Sequence, residues 1–337
     1  MKKILLCRTD AIGDLILTLP VARSIAERHP QLHLSLLVSE YTKPLLENES
    51  YLDDILTIKG RSPAGFGAIK ELAQLLGEHR FDTIIHIYPR FGLALAAAFA
   101  GIDRRVGTAY RGYSFLFNHQ VKLHRRKSSK HELDLNYDLV ESLFPDLKRH
   151  RPALTVSDRQ INAARRLLEK RSDRPHYVVI HPLSQGSAPN WRLSRYLDLA
   201  DKIAASDHQV VITGSAVQRS MIAAALASRR RSHLNLAGET DLTTLVGVIR
   251  NAKMIVTGST GPIHIAAAVG TFAVGIYPPQ TALSATRWGP GGRLVKLFVP
   301  RIDGKASAAV ACMDAVATET VAAFILSKLE EDAKLLI

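Results

Sequence analysis

Short apolar runs alternate with helix-spaced apolar segments along most of the chain, and this alternation constrains the fold more than any other feature. Lys3 to Arg8 is an apolar run, and Gly13 to Arg28 follows it with the periodicity of a single helix. A second series of the same kind begins near Asp158. Such a βαβα series implies a parallel sheet with helices on both faces. We expect an α/β protein with two doubly wound domains that face a central cleft.

The length of 337 residues agrees with two domains. A polar, punctuated stretch from Pro145 to Pro152 marks the boundary. We expect an N-terminal domain over residues 1–155 and a second domain over residues 156–314. Residues 315–337 are expected to hold an amphipathic C-terminal helix.

The formal net charge is +13, from 44 Lys and Arg against 31 Asp and Glu. An excess of this size favours anionic partners: a nucleotide, a phosphorylated glycolipid, an acidic membrane surface or nucleic acid. Plain solubility is the other explanation of the charge. With 47% hydrophobic and 22% charged residues, a largely disordered chain is excluded.

Two cysteines, Cys7 and Cys312, are too few for a disulfide framework and indicate a reducing compartment. The basic N-terminus resembles the start of a signal peptide, but Arg8 and Asp10 interrupt its apolar stretch too early. The apolar stretch from Leu93 to Ala100 is too short to span a bilayer. We expect a cytoplasmic protein, either free or peripheral on a membrane face.

The first polar motif is Arg8-Thr9-Asp10-Ala11-Ile12-Gly13-Asp14, at the end of the first predicted strand. Gly13 is expected to permit a tight turn into the helix. Asp14 would then lie in the first helical turn, where its carboxylate could accept a proton from an attacking hydroxyl. The alternative is that Asp14 only complements the helix dipole. Asp10 is the competing candidate for a base.

The second motif runs from His181 to Ser187 and leads into Asn190-Trp191. A strand here ends in a loop rich in small hydroxyl residues, with a helix beyond. Such a loop can present amides and hydroxyls to phosphate oxygens. The alternative is an ordinary turn in which Trp191 belongs to the core.

The third motif is Gly258-Ser259-Thr260-Gly261-Pro262-Ile263-His264, directly after a predicted strand. Ser259 or Thr260 can cap the following helix, and Pro262 suits its first turn. Gly261 permits close approach of a ligand to bare amides. The motif predicts an anion site at the helix N-terminus, although His264 could also be a packed histidine.

The stretch from Arg104 to Lys130 contains no acidic residue. Aromatic residues are interleaved with its basic ones, which are Arg104, Arg105, Arg111, Lys122, Arg125, Arg126, Lys127 and Lys130. This combination can indicate single-stranded nucleic-acid binding, and it agrees equally with two other interpretations. A pocket for an anionic sugar-lipid and a solvated loop face are the other two interpretations.

Several familiar motifs are missing. No G-x-G-x-x-G follows the first strand, and no Walker A, H-E-x-x-H or paired Cys-x-x-Cys pattern occurs. No Asp-x-Asp pair is present to hold a metal on a nucleotide-sugar diphosphate. These absences argue against a dinucleotide dehydrogenase, a P-loop enzyme and a zinc site.

Together the three motifs resemble glycosyltransferase family 9, the bacterial lipopolysaccharide heptosyltransferases. The resemblance extends to Leu17-Thr18-Leu19-Pro20, to the run Ala266-Ala267-Ala268 and to Trp288-Gly289-Pro290. It implies a GT-B fold of two Rossmann-like domains. The N-terminal domain would bind a lipid-linked acceptor and the C-terminal domain a nucleotide sugar, usually ADP-heptose. The C-terminal helix would return toward the N-terminal domain.

By this resemblance the reaction inverts the anomeric centre, and it needs no metal or other cofactor. Asp14 would be the general base. The expected nucleotide-sugar contacts are Ser184, Ser187, Arg192, Ser259, Thr260, Gly261 and His264. We expect an anionic glycolipid acceptor at the inner membrane face, and no nucleic acid. Its expected contacts are Arg8, Arg104, Arg105, Arg125, Arg126 and Lys127.

One departure from the family pattern leaves alternatives open. The family commonly has a diphosphate-binding lysine where this chain has Pro189, and a proline where it has Arg192. Either Arg192 supplies the missing charge, or the donor differs, or activity is reduced. Another nucleotide sugar or another surface glycan is one alternative function. A non-catalytic protein that binds nucleotides or nucleic acid is the other.

Overall fold

A computed structural model of the chain describes residues 2–172, 174, 176–184, 186, 188–300 and 313–334. The chain divides into two compact units, Met1–Thr155 and Val156–Ile337. Each unit contains one six-stranded sheet in which the paired strands are parallel. The expected α/β class with two doubly wound sheets is confirmed.

The first unit contains the strands β1 to β6, which are Lys3–Cys7, His33–Ser39, Asp54–Ile58, Thr83–His86, Arg104–Thr108 and His119–Val121. Its helices α1 to α5 are Ile12–Ile16, Leu19–Arg28, Gly65–His79, Phe91–Phe99 and Glu132–Val140. Short 3-10 helices lie at Glu40–Leu45, Ser114–Leu116 and Arg125–Lys127.

The second unit contains the strands β7 to β12, which are Tyr177–His181, Gln209–Ile212, Leu234–Asn235, Met254–Gly258, Phe272–Ile276 and Val295–Phe298. Its helices α6 to α12 are Asp158–Glu169, Leu193–Ala205, Arg219–Ala227, Leu242–Asn251, Gly261–Val269, Ala285–Trp288 and Thr318–Lys334. Two 3-10 helices lie at Ala216–Gln218 and Thr281–Leu283.

The two sheets share one strand order. The first is β3-β2-β1-β4-β5-β6 and the second is β12-β11-β10-β7-β8-β9. In each, the winding reverses between the first and fourth strands of the unit. In open α/β sheets ligands bind beyond the carboxyl ends of the strands at this reversal. The loops after β1 and β4, and those after β7 and β10, are therefore the places where the topology puts a site.

The predicted single helix from Gly13 to Arg28 is wrong. The segment forms α1 and α2, separated at Leu17 and Thr18. Pro20 lies in the first turn of α2, where its missing N–H costs nothing, and the Thr18 hydroxyl donates to the Asp14 carbonyl at 2.8 Å. Gly13 lies inside α1 and has no left-handed backbone, so the turn does not depend on its conformational freedom.

The basic stretch after residue 103 is partly strand. Its first residues form β5, in which Arg104 pairs with Thr83 at the amino end of β4. Farther along the same sheet, Cys7 pairs with His86 at the carboxyl ends of β1 and β4. The basic stretch therefore begins at the amino ends of the strands and continues toward their carboxyl ends.

The C-terminal helix α12 packs against α7 within the second unit. Its buried residues recur at helical spacing and join the core of that unit; they are Val321, Ala322, Ile325 and Leu329. The return of this helix toward the N-terminal domain stays a prediction. Among the described residues, no helix combines the length and apolar character needed to cross a bilayer.

Helices α6 and α9 approach each other so closely that one position admits no side chain. A Cβ atom built on Gly247 of α9 would lie 2.0 Å from the Gln160 carbonyl oxygen and 2.8 Å from Ala164 Cβ. Atoms in a close-packed interior cannot absorb such an overlap without moving the backbone. Gly247 is thus the residue that allows α6 to cover this face of the second unit.

We predict that Gly247→Ala lowers the free energy of unfolding by about 1–3 kcal/mol, since overpacking displaces α6. Gly77→Ala is the matched control, because Gly77 is an exposed glycine in α3 with open space around it. That change should raise stability by about 0.5–1 kcal/mol. Urea denaturation followed by circular dichroism measures both. Equal stability of the two variants would contradict the close approach.

Candidate active site

The reversal point of the first sheet gathers a charged cluster. Arg8 and Asp10 follow β1, Asp14 lies in α1, and Arg90 lies just beyond β4. The fifth member, Glu132, begins α5. Segments that are far apart in the sequence therefore meet at the carboxyl edge of the sheet.

Arg8 is the centre of this cluster and is 1% exposed. Its guanidinium faces three carboxylates: Nε lies 3.3 Å from Asp10, Nη1 lies 3.2 Å from Glu132, and Nη2 pairs with Asp14. Burial alone would lower the pKa of Arg8, but the three negative charges outweigh that effect and hold its pKa above the ordinary value. The guanidinium therefore stays charged and ties three segments together.

Two further cations balance the cluster. Arg125 pairs with Glu132 and also donates to the Asn136 side chain at 3.1 Å and to the Ile87 carbonyl at 2.9 Å. Arg90 pairs with the second oxygen of Asp10. Three cations thus face three carboxylates, which lowers the cost of burying charge in this part of the protein.

Asp14 is the most accessible of the three carboxylates. Its side chain is 20% exposed, against 8% for Asp10 and 1% for Glu132. Its Oδ1 accepts from Arg8 and its Oδ2 accepts from the Ala11 amide at 3.3 Å. The carboxylate is therefore held in one orientation and still reaches solvent. A group that takes a proton from a substrate hydroxyl needs both properties.

A tyrosine ring lies beside the cluster. The guanidinium carbons of Arg8, Arg90 and Arg111 lie 5.5, 5.4 and 5.1 Å from the centre of the Tyr88 ring. An aromatic face stabilises cations at such distances. Tyr88 thereby keeps three positive charges close together at the carboxyl edge of the sheet.

The structure separates the basic residues that sequence reasoning grouped for the acceptor. Arg104 and Arg105 begin β5 at the amino edge, away from the cluster, and Arg105 donates to the carbonyls of Leu116 and Ile102. Arg8 and Arg125 belong to the cluster itself. Lys127 is exposed, and the side chain of Arg126 lies outside the described part of the chain.

The second sheet places the third motif at its own reversal point. Thr260 is the residue before α10, and its hydroxyl lies 3.2 Å from that of Thr257. Gly261 and Pro262 open the helix, whose first amides point toward the loop. A Cβ on Gly258 would lie 2.6 Å from Asn190 Oδ1, so a glycine lets the β7 loop approach β10.

Two more residues of this motif lie close by. His264, in the first turns of α10, is buried. Ser259 forms a hydrogen bond with Tyr277, which follows β11. Helix amides, two hydroxyl residues and a histidine thus occur at the start of one helix, a location suited to an anion.

The loop after β7 contributes polar groups to the same edge. His181 Nδ1 lies 3.0 Å from the Thr213 hydroxyl, and burial lowers the pKa of His181 to about 4, so the imidazole is neutral at pH 7. Ser184 Oγ donates to the Ala188 carbonyl at 3.4 Å. Ser187 lies outside the described residues.

Arg192 does not stand free beside this loop. Its Nε lies 2.5 Å from Asp314, and Arg195 pairs with the same carboxylate at 3.2 Å. Trp191 next to it is a core residue whose indole donates to the Val316 carbonyl at 3.1 Å. The structure thus gives Arg192 a partner other than a ligand.

Sequence reasoning missed Glu132, Arg90 and Tyr88 as members of the first site. Arg90 and Tyr88 had a usable signal, because they come directly after the strand that pairs with β1. Glu132 had a weaker one, an acidic residue opening a helix after a basic stretch. Across the described residues, no three His, Cys, Asp or Glu side chains are grouped to hold a metal ion.

Two doubly wound units with polar loops at both reversal points are typical of a GT-B glycosyltransferase. The family model described as glycosyltransferase family 9 (heptosyltransferase) matches residues 69–304. The chain belongs to this family and is a glycosyltransferase.

Similar proteins agree with this assignment. Lipopolysaccharide heptosyltransferase 2 of Escherichia coli is 28% identical over 298 residues, 83% of each chain. A putative glycosyltransferase of Haemophilus influenzae is 28% identical over 302 residues, 86% of each chain. The structure of E. coli ADP-heptose LPS heptosyltransferase II has a TM-score of 0.82, with 24% identity over 99% of this chain and 100% of that one. These likenesses confirm the GT-B fold.

We predict that Arg8→Met lowers the free energy of unfolding by about 3–5 kcal/mol, because it leaves buried carboxylates without their shared cation. The free energy of unfolding of Arg8→Lys should lie between those of Arg8→Met and the unchanged protein. The lysine keeps a positive charge, but a single ammonium group cannot reach all three carboxylates. Arg23→Met is the control: Arg23 pairs with Glu27 at the surface, and its loss should cost less than about 1 kcal/mol. Similar losses for Arg8→Met and Arg23→Met in urea denaturation would refute the central role of Arg8.

Proposed function

We propose that this glycosyltransferase moves a heptose from ADP-heptose to a sugar of the lipopolysaccharide core or of a similar anionic glycolipid. The observation that carries the proposal is the fixed, accessible carboxylate of Asp14 at the reversal point of the first sheet. The reaction inverts the anomeric centre and requires no metal. The names of the E. coli relatives support the donor and the class of acceptor.

In the proposed step the acceptor hydroxyl oxygen attacks the anomeric carbon of the heptose. The new C–O bond forms as the bond from that carbon to the diphosphate oxygen breaks, and ADP leaves. The hydroxyl proton passes to the carboxylate of Asp14. A single displacement of this kind inverts the configuration at carbon. Arg8 and the Ala11 amide hold both oxygens of the base, so only one geometry needs to be sampled.

The diphosphate is proposed to bind at the N-terminus of α10. The proposed donors there are the backbone amides at the start of the helix, the hydroxyls of Ser259 and Thr260 and the imidazole of His264. Such preorganised donors stabilise the negative charge that builds on departing ADP. Ser184 and Ser187 of the β7 loop complete the proposed donor site. Pro189 cannot supply the positive charge of the family lysine, and Arg192 pairs with Asp314. The N-terminus of α10 is therefore proposed to balance most of the negative charge of the diphosphate.

The acceptor is proposed to bind the N-terminal unit, near Arg111 and Lys127. The cations around Tyr88 suit the phosphates of an anionic glycolipid core. The enzyme would then work as a peripheral protein on the cytoplasmic face of the inner membrane. For Arg104 and Arg105 a role in acceptor binding stays a prediction.

The test of the function is product analysis. Purified protein is incubated with ADP-heptose and a panel of truncated lipopolysaccharide cores, and products are identified by mass spectrometry and by the anomeric coupling in NMR. Transfer of one heptose with inverted configuration is expected. Transfer from another nucleotide sugar only would move the proposal to a different donor. ADP binding without transfer to any core would leave a non-catalytic nucleotide-binding protein.

We predict that Asp14→Asn lowers kcat by ~10²–10⁴, the usual worth of a general base. The Kd of ADP should stay within about threefold, because the amide keeps the shape of the side chain and the nucleotide binds elsewhere. Asp10→Asn is the comparison variant. A loss below about threefold in Asp14→Asn, together with a larger loss in Asp10→Asn, would transfer the role of base to Asp10.

Gly261→Val should weaken ADP binding at least about tenfold in calorimetry, since a branched side chain keeps the diphosphate away from the helix amides. Gly261→Ala adds a single carbon and should show a smaller loss. Circular dichroism confirms that both variants are folded. Unchanged ADP affinity in the valine variant would place the diphosphate elsewhere.

Incubation with EDTA should leave kcat within about twofold, because the proposed reaction uses amides and cations where other enzymes use a metal. Initial rates with and without added Mg²⁺ provide the measurement. A loss that Mg²⁺ restores would overturn the metal-free mechanism.

A further inference from the structure

An apolar stripe runs along the outer face of α4 in the N-terminal unit. Phe91, Leu95 and Phe99 recur every four residues, so they share one side of the helix. Both phenylalanines are exposed although the rest of α4 is largely buried. Phe91 and Phe99 lie one helical turn on either side of Leu95, so the three side chains form an apolar surface along the helix. Monomeric proteins rarely expose such a surface to water.

Neighbouring elements extend this stripe. The ring of Phe66, at the start of α3, lies 6.2 Å from that of Phe99, and Tyr113 lies 5.6 Å from Phe91. Phe115 lies in the 3-10 helix Ser114–Leu116, which packs against α4. The exposed fraction of Phe66 is 68% and that of Phe115 is 75%. We call Phe66, Phe91, Phe99 and Phe115 the aromatic surface.

The segment that carries the aromatic surface is also the most basic part of the chain. Residues 59–130 contain thirteen Lys and Arg but four Asp and Glu, an excess of nine. Three of these cations, Arg90, Arg125 and Lys130, pair with carboxylates outside the segment, which leaves an excess of six. Arg111 shares a turn with Ser114, directly before Phe115. Arg105 donates to the carbonyl of Leu116, directly after it. The Arg105 guanidinium therefore lies beside the 3-10 helix that carries Phe115, and Arg111 precedes the same helix.

We infer that the aromatic surface docks the N-terminal unit on an anionic lipid bilayer. Phenylalanine rings insert at the boundary between headgroups and acyl chains, while adjacent Lys and Arg bind the lipid phosphates. An uncharged or basic protein partner would leave the excess of cations uncompensated, whereas an anionic headgroup layer compensates it and also admits the apolar rings. The role of this docking rests on the proposed function, in which the acceptor is a glycolipid. A docked enzyme would meet that acceptor in the plane of the membrane.

The test is vesicle sedimentation with the full chain. Vesicles of phosphatidylethanolamine with phosphatidylglycerol are compared with vesicles of phosphatidylcholine alone. We expect binding to the anionic vesicles that weakens at high salt. The triple variant Phe66→Ser, Phe99→Ser, Phe115→Ser should reduce the partition coefficient at least about fivefold, because the inserted rings are gone.

A matched control changes equally exposed apolar residues on other elements: Tyr41→Ser, Val217→Ser and Met221→Ser. This variant should bind anionic vesicles like the unchanged protein. Equal binding by both triple variants would overturn the inference. Light scattering gives a second way to overturn it. If the unchanged protein and the control are homodimers and only the variant of the aromatic surface (Phe66→Ser, Phe99→Ser, Phe115→Ser) is a monomer, the surface binds a second copy of the chain.

Activity assays separate this inference from the proposed function. With a soluble, delipidated acceptor core, the aromatic-surface variant should keep the kcat and KM of the unchanged protein. With the acceptor embedded in anionic vesicles its kcat/KM should fall at least about fivefold. If the unchanged protein transfers sugar but the variant loses nothing on vesicles, docking through this surface is refuted. If no sugar is transferred to either acceptor while the vesicle binding remains, the proposed function fails and the docking surface stands.

Discussion

The buried guanidinium of Arg8 is the interaction on which the first site depends. It joins the loop after β1, the short helix α1 and the start of α5 through ion pairs to three carboxylates. A buried ion pair contributes less to stability than its Coulomb energy suggests, because both charges lose their hydration. Its larger effect here is geometric. Glu132 and Asp10 are sealed inside, and Asp14 remains oriented at the surface of the cluster.

Much of the fold could be predicted, because buried parallel strands are continuous apolar runs such as those of β1, β7 and β10. The strands β5 and β6 could not, since Arg104–Thr108 and His119–Val121 lack such a run. Neighbouring strands make them part of the sheet by hydrogen bonding, which is a tertiary effect. The break between α1 and α2 had a local signal in Pro20 that helical periodicity concealed.

The candidate site was predictable where a polar residue lies between a strand and the first turn of the next helix, as Asp14 and Thr260 do. It was not predictable where partners meet across long sequence distances. Glu132 lies 124 residues beyond Arg8, and no spacing rule connects them. Counting charges grouped Arg104 with Arg125, whereas strand direction sends them to opposite ends of the strands. The role of Arg104 in acceptor binding stays a prediction. Proximity in the sequence carries no information on which end of a strand faces a ligand.

The shared strand order has a consequence for the way this chain folds as it leaves the ribosome. In each unit a central strand is made before the others: β1 precedes its neighbour β4 by nearly eighty residues. Parallel neighbours cannot form hairpins, so each new chain carries an apolar strand with an unpaired edge until its partner appears. The first unit, however, contains all the strands of its own sheet and ends before β7 begins. It can therefore fold while the second is being synthesised, which limits the time that its β1 edge is open to aggregation.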